Sequence, residues 1–141
     1  MNAEYRRLLQ EFVDSPYQVL VSTGRNMYNK IWPELESMSR SGDCSDLIVA
    51  IFATTCAVDG KFTELEYNFM LDVLKINFSY SDLKSLVEEY TSPKWIETID
   101  TIIDRCDNDT KINIATLCIC LTAVDKTITR DECAFIDKLL A

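Results

Sequence analysis

The chain has 141 residues, 48% apolar and 26% charged, a length and balance that suit one compact soluble domain able to bury about two-thirds of its unfolded surface. Fourteen basic residues against twenty-three acidic ones leave a net charge of −9, which repels phosphate backbones and anionic lipid and so argues against nucleic-acid and membrane-surface binding. Histidine is absent, which removes Ser–His–Asp and Cys–His catalysis and imidazole zinc sites, and three glycines with three prolines argue against a turn-rich β protein and against disorder.

Helical spacing runs through the chain from its first residues. Tyr5, Leu8, Leu9, Phe12 and Val13 form one stripe at i, i+3, i+4, i+7, i+8. Asp14-Ser15-Pro16 breaks and restarts the helix, and Tyr17, Leu20, Val21, Met27, Tyr28 and Ile31 continue to about Trp32. Pro33 is expected to kink or end that helix. Ser41-Gly42-Asp43 reads as a break, with Asp43 as N-cap of the next segment.

Leu47 to Ala57 is apolar on all sides, the pattern of a helix enclosed in the centre of a domain. A one-sided helix follows, with Leu65, Phe69, Val73 and Ile76 as its stripe. Leu83, Leu86, Val87 and Tyr90 form another behind a start at Ser79 or Ser81, and Ser92-Pro93 opens a helix carrying Ile96, Ile99 and Ile103. Asp107-Asn108-Asp109 is a polar turn, Ile112 to Val124 is again apolar all round, and the last helix carries Cys133, Ile136 and Leu140. The alternation Lys111-Ile112-Asn113-Ile114 resembles a strand but has no partner strand, so the reading is an all-α bundle of seven or eight helices.

The six cysteines contain no CxxC pair. Cys56, Cys118, Cys120 and Cys133 lie in or beside apolar runs, and Cys118 and Cys120 stand about 200° apart on a helix, so they cannot share a metal. Reduced core thiols follow. The first residues lack a signal-peptide apolar core, and no apolar run reaches the ~20 residues needed to span a bilayer, so the expected location is the cytoplasm.

The most informative feature is a repeat. Ala57-Val58-Asp59-Gly60-Lys61-Phe62-Thr63-Glu64-Leu65-Glu66 returns 66 residues later as Ala123-Val124-Asp125-Lys126-Thr127-Ile128-Thr129-Arg130-Asp131-Glu132. Phe69, Met70, Val73 and Leu74 then map onto Phe135, Ile136, Leu139 and Leu140. Each copy is an apolar helix, a turn and a one-sided helix, which predicts two pseudo-symmetric helical hairpins. Thr63 with Glu66, and Thr129 with Glu132, have capping-box spacing. Gly60 suits a left-handed turn, and Lys126 in its place makes the second turn either strained or differently wound.

The same acids allow a second reading. With Glu66 as the twelfth position of a calcium loop, Thr55 and Ala57 occupy positions that need carboxylates, so an EF-hand is excluded. Asp104, Asp107 and Asp109 fail the same test and read as a turn with an N-cap. The alternative to capping is that the two acidic turns meet and share a hard divalent cation (calcium, magnesium, manganese or zinc) through Asp59, Glu66, Asp125 and Glu132.

The doubled motif, an apolar helix leading into A-x-D-G-x-(F/I)-T-x-x-E with Phe69 or Phe135 in the following helix, resembles the TerB-like (tellurite-resistance) family over about residues 43–141. Lys126 stands where that pattern has glycine, and residues 1–40 are not clearly part of it. The resemblance implies a compact helical bundle of two related halves and an acidic cluster that binds divalent metal. It further implies bacterial stress responses to tellurite, other toxic agents and phage, with adaptor behaviour and no catalysis. Residues 43–141 carry nine basic and eighteen acidic side chains, so the whole net charge resides there, suited to a partner with a basic patch or simply to solubility. Two other functions remain open. One is a pure protein-interaction module docking through Tyr5, Tyr17, Tyr28 and Trp32, against core packing of those rings; the other is a metal-assisted hydrolase using the paired carboxylates.

Overall fold

A computed structural model describes residues 3–38, 45–58 and 60–140. Among them are eight α-helices and no strand: α1 (Ala3–Asp14), α2 (Tyr17–Met38), α3 (Ser45–Ala57), α4 (Glu64–Leu74), α5 (Tyr80–Tyr90), α6 (Pro93–Arg105), α7 (Asn108–Ala123) and α8 (Arg130–Leu140). No described helix is long and apolar enough to cross a membrane.

The two helices without a polar face lie at the centre. Every residue from Ile48 to Cys56 in α3 is buried, and so is almost all of α7 from Ile114 onward. Where these helices carry hydroxyls, the backbone satisfies them: Thr54 donates to the Ala50 carbonyl, Thr55 to Ile51 and Thr122 to Ile119. The Thr55 hydroxyl also lies 3.2 Å from the Cys118 sulfur, tying α3 to α7 across the core. Around this pair, α1, α2, α4 and α8 pack on α7, while α5 and α6 pack on α3. Lys111–Ile114 lies within α7, so the apparent alternation is helix.

Helix starts fall where short polar side chains can take up orphan amides. Ser79 accepts from Asp82 N–H at the head of α5, Asp107 accepts from Thr110 N–H at the head of α7, and Pro93 occupies the first turn of α6 behind Ser92. The Thr110 amide holds the Asp107 carboxyl below the ordinary carboxylate range. Asp104 and Asp109 are exposed beside it. The expected cap at Asp43 lies outside the described residues.

Two expectations need correction, and one open choice is decided. Pro33 does not end α2, which continues to Met38 with Leu35 completely buried beyond it; core contact holds the turn that proline deprives of one hydrogen bond. Leu8, Leu65 and Leu140 stand on the solvent side, at 46%, 47% and 41% exposure. In α4 and α8 the buried stripes are instead Glu66, Phe69, Met70 and Val73, and Glu132, Ile136 and Leu139. In α4 the capping Glu66 takes the inward position beside Leu65, and at the end of α8 Leu139 takes the core position beside Leu140. Between docking and core packing of the N-terminal rings, the described ones take the core: Tyr17, Tyr28 and Trp32 are half-buried and packed against it, Tyr28 and Trp32 with ring centroids 5.4 Å apart. The side chain of Tyr5 lies outside the described residues.

Gly24 explains how closely α2 lies on α4. A β-carbon there would stand 2.9 Å from Phe69 Cζ and 3.0 Å from Val73 Cγ2, too near for either without movement. Gly24→Ala therefore overpacks the α2–α4 contact at a cost of about 1–3 kcal/mol, partly offset by about 1 kcal/mol of improved helix propensity. Urea denaturation should show net destabilisation in Gly24→Ala and its recovery in Gly24→Ala with Phe69→Leu.

Candidate functional site

The repeated sequence places two turns of similar construction in the fold. In the first, Thr63 caps α4: its hydroxyl accepts from Glu66 N–H at 3.1 Å, and Glu66 Oε1 accepts from Thr63 N–H at 3.0 Å. In the second, Thr129 Oγ1 accepts from Glu132 N–H at 3.1 Å, while Glu132 Oε1 accepts from Thr129 N–H at 2.9 Å. Both boxes expected from the spacing are formed. Both glutamates are buried, at 1% and 4% exposure, a placement that a carboxylate tolerates only with donors around it. Glu66 has a second donor in the Cys56 thiol, 3.4 Å from Oε2.

The two turns are linked. The Thr63 hydroxyl, which accepts from its own helix, donates to Asp125 Oδ1 at 3.0 Å, so the acid of the second turn reaches the cap of the first. Of the four acids singled out in the sequence, Glu66 and Asp125 thus share Thr63 as a partner, and Glu132 is held in the matching box. Asp59 lies outside the described residues. Among the described residues no group of three or more Asp, Glu or Cys side chains is arranged to hold a metal ion. One oxygen of each glutamate is committed to a cap, and Asp125 Oδ1 accepts from Thr63.

Each turn is braced from outside the repeat unit. Tyr80 of α5 stacks on Phe62 with centroids 5.5 Å apart and donates its hydroxyl to the Phe62 carbonyl at 2.7 Å. The second turn is held by Lys126, whose ammonium donates to the Ser15 carbonyl between α1 and α2. Lys126 has φ 65°, close to the 73° of Gly60. The second turn is therefore wound like the first and strained, since a left-handed residue with a β-carbon costs about 1–2 kcal/mol. Sequence reading treated Thr63 only as a cap and gave Cys56, Tyr80 and Ser15 no role at the turns. Nothing in local spacing signals these contacts, because each joins parts of the chain that only the fold brings together.

The described cysteines form no disulfide, with Cys56, Cys106, Cys118 and Cys120 buried and Cys133 half-buried, while Cys44 lies outside the described residues. Burial pushes the Cys118 and Cys120 thiols up to about 12, which keeps them protonated and unreactive. Beside each turn lies an open cleft: one of about 360 Å³ between the first turn and α5, containing Lys61, Phe62, Lys84 and Glu88, and one of about 560 Å³ between the second turn and α1. No known family model, curated protein or solved structure matches this chain.

Two measurements check this geometry. In a double-mutant cycle of Thr63→Ala and Asp125→Ala, the shared hydrogen bond should appear as a coupling of about 1 kcal/mol in urea melts. Additive losses would mean that the link contributes nothing. Gly60→Ala should cost about 1 kcal/mol through backbone strain alone, because no atom lies within 4 Å of the added β-carbon. Gly60→Asn should cost less, asparagine being more tolerant of a left-handed backbone.

Proposed function

We propose that the chain is a non-enzymatic helical domain of the TerB-like type, acting in the cytoplasm as a stress-response adaptor of the tellurite-resistance kind. Its two repeat halves are related by pseudo-symmetry, and the joined turns form its functional edge. A divalent cation is taken up there through Asp59 and Asp125, with Glu66 and Glu132 shaping the turns as caps. The observation that supports this reading is the hydrogen bond from Thr63 to Asp125, because a site shared between the copies requires the acidic turn of one to reach the helix start of the other. The acidic surface of residues 43–141 suits a protein partner with a basic patch.

A second reading, a protein-interaction module without metal, has its own support in the committed caps: Glu66 and Glu132 already use carboxylate oxygens to satisfy backbone donors. Thermal unfolding of demetallated protein with calcium, magnesium, manganese or zinc separates the two. A site filled at a hundredfold excess over Kd adds about 2.7 kcal/mol of stability. The cation reading expects a rise in melting temperature with one or more ions, lost in Asp59→Asn with Asp125→Asn. An unchanged melting temperature with all four ions leaves the interaction module.

A further inference from the structure

The larger cleft differs from the surface around it. In a chain of net charge −9, Arg6, Lys126 and Arg130 line one concavity of about 560 Å³, and no carboxylate is among its described lining residues. Neither arginine is in an ion pair with a described residue. The Lys126 side chain lines the cleft while its ammonium donates to the Ser15 carbonyl. The wall is apolar: Leu9 is buried, Val13 and Ile128 are half-buried, and the half-buried Cys133 thiol adjoins them. Acids do approach from α8: burial first, then Asp137 and Glu132, push the Cys133 thiol up against the opposing pull of Arg6. Arg6 therefore lies close enough to act on the cleft wall itself.

We propose that the cleft between α1 and the α7–α8 turn binds a small amphiphilic anion, a monoanionic carboxylate carrying a medium-length apolar chain. Its size falls within the range of small-molecule sites, and its composition, an apolar wall with a few convergent donors, is the one such sites use. Arginine presents a planar fork that matches a carboxylate with two parallel hydrogen bonds, and Lys126 adds a point charge. The overall charge selects the ligand further. Repulsion from the −9 surface grows with ligand charge, so a single carboxylate enters where a polyanion is turned away. The apolar chain lies along Leu9, Val13 and Ile128 and displaces water from them.

The test is a titration of the uniformly ¹⁵N-labelled full chain with decanoate below its micelle concentration, followed by amide shifts, with decanol and acetate as companions. Saturable shifts centred on Leu9, Val13 and Ile128 are expected. Affinity should be about tenfold weaker for decanol, for acetate and for decanoate with Arg6→Gln plus Arg130→Gln. Both guanidinium groups are exposed, so the variant should fold; Arg130→Gln alone, with a smaller loss in the same direction, serves if it does not. Decanol or acetate binding as well as decanoate, shifts centred elsewhere, or no saturable response overturns the assignment.

Discussion

Enclosing α3 and α7 on every side is the constraint from which the remaining arrangement follows, because a helix without a polar face exposes apolar surface wherever a neighbour is missing. The other six helices are each one-sided, and each lays its stripe against one or both of the central pair. This explains why α2, 22 residues long, continues past Pro33: its far end supplies Leu35 to the core, and stopping at the proline would leave that area open. It also explains the close approach at Gly24, where α2 must clear the Phe69 ring of α4 and still reach α7.

The capping boxes fit the same constraint from the polar side. A helix that starts against the core must bring its unpaired amides and the side chain that satisfies them inward together. Glu66 and Glu132 do this, each sitting on the buried stripe of its helix while holding the backbone N–H of its capping threonine. A glutamate in such a place specifies where the helix begins, since sliding the start by one residue would bury the carboxylate away from its donor. The Thr63–Asp125 bond extends that specification from one copy of the repeat to the other.

Much of the architecture was legible because it rests on patterns with a local cause. The apolar runs of α3 and α7 read as enclosed helices, Ser79, Thr63, Asp107 and Thr129 mark helix starts by caps that act within four residues, and Pro93 marks the start of α6. Hydrophobicity ranks Leu65 above Glu66 as the inward residue, whereas the capping box turns Glu66 to the core; at the end of α8 the adjacent Leu139 and Leu140 cannot both face inward, and Leu139 does. At the turns, the acids and caps could be read, but the partners could not. Tyr80 on Phe62, Lys126 on Ser15 and Cys56 on Glu66 depend on tertiary placement, and the basic cleft gathers Arg6 and Lys126 from positions 120 residues apart.

Lys126 makes the two copies of the repeat unequal in a way that outlasts their resemblance. Its left-handed backbone is a liability in isolation, but its side chain reaches the junction between α1 and α2, which lies outside the repeated segment. The strain is therefore tolerable only while those leading helices are present to receive the ammonium. The first turn has glycine at the left-handed position and is braced by Tyr80. Exchanging the two loops would hand each copy a brace it cannot use, so sequence drift at one turn is coupled to the N-terminal helices and at the other to α5.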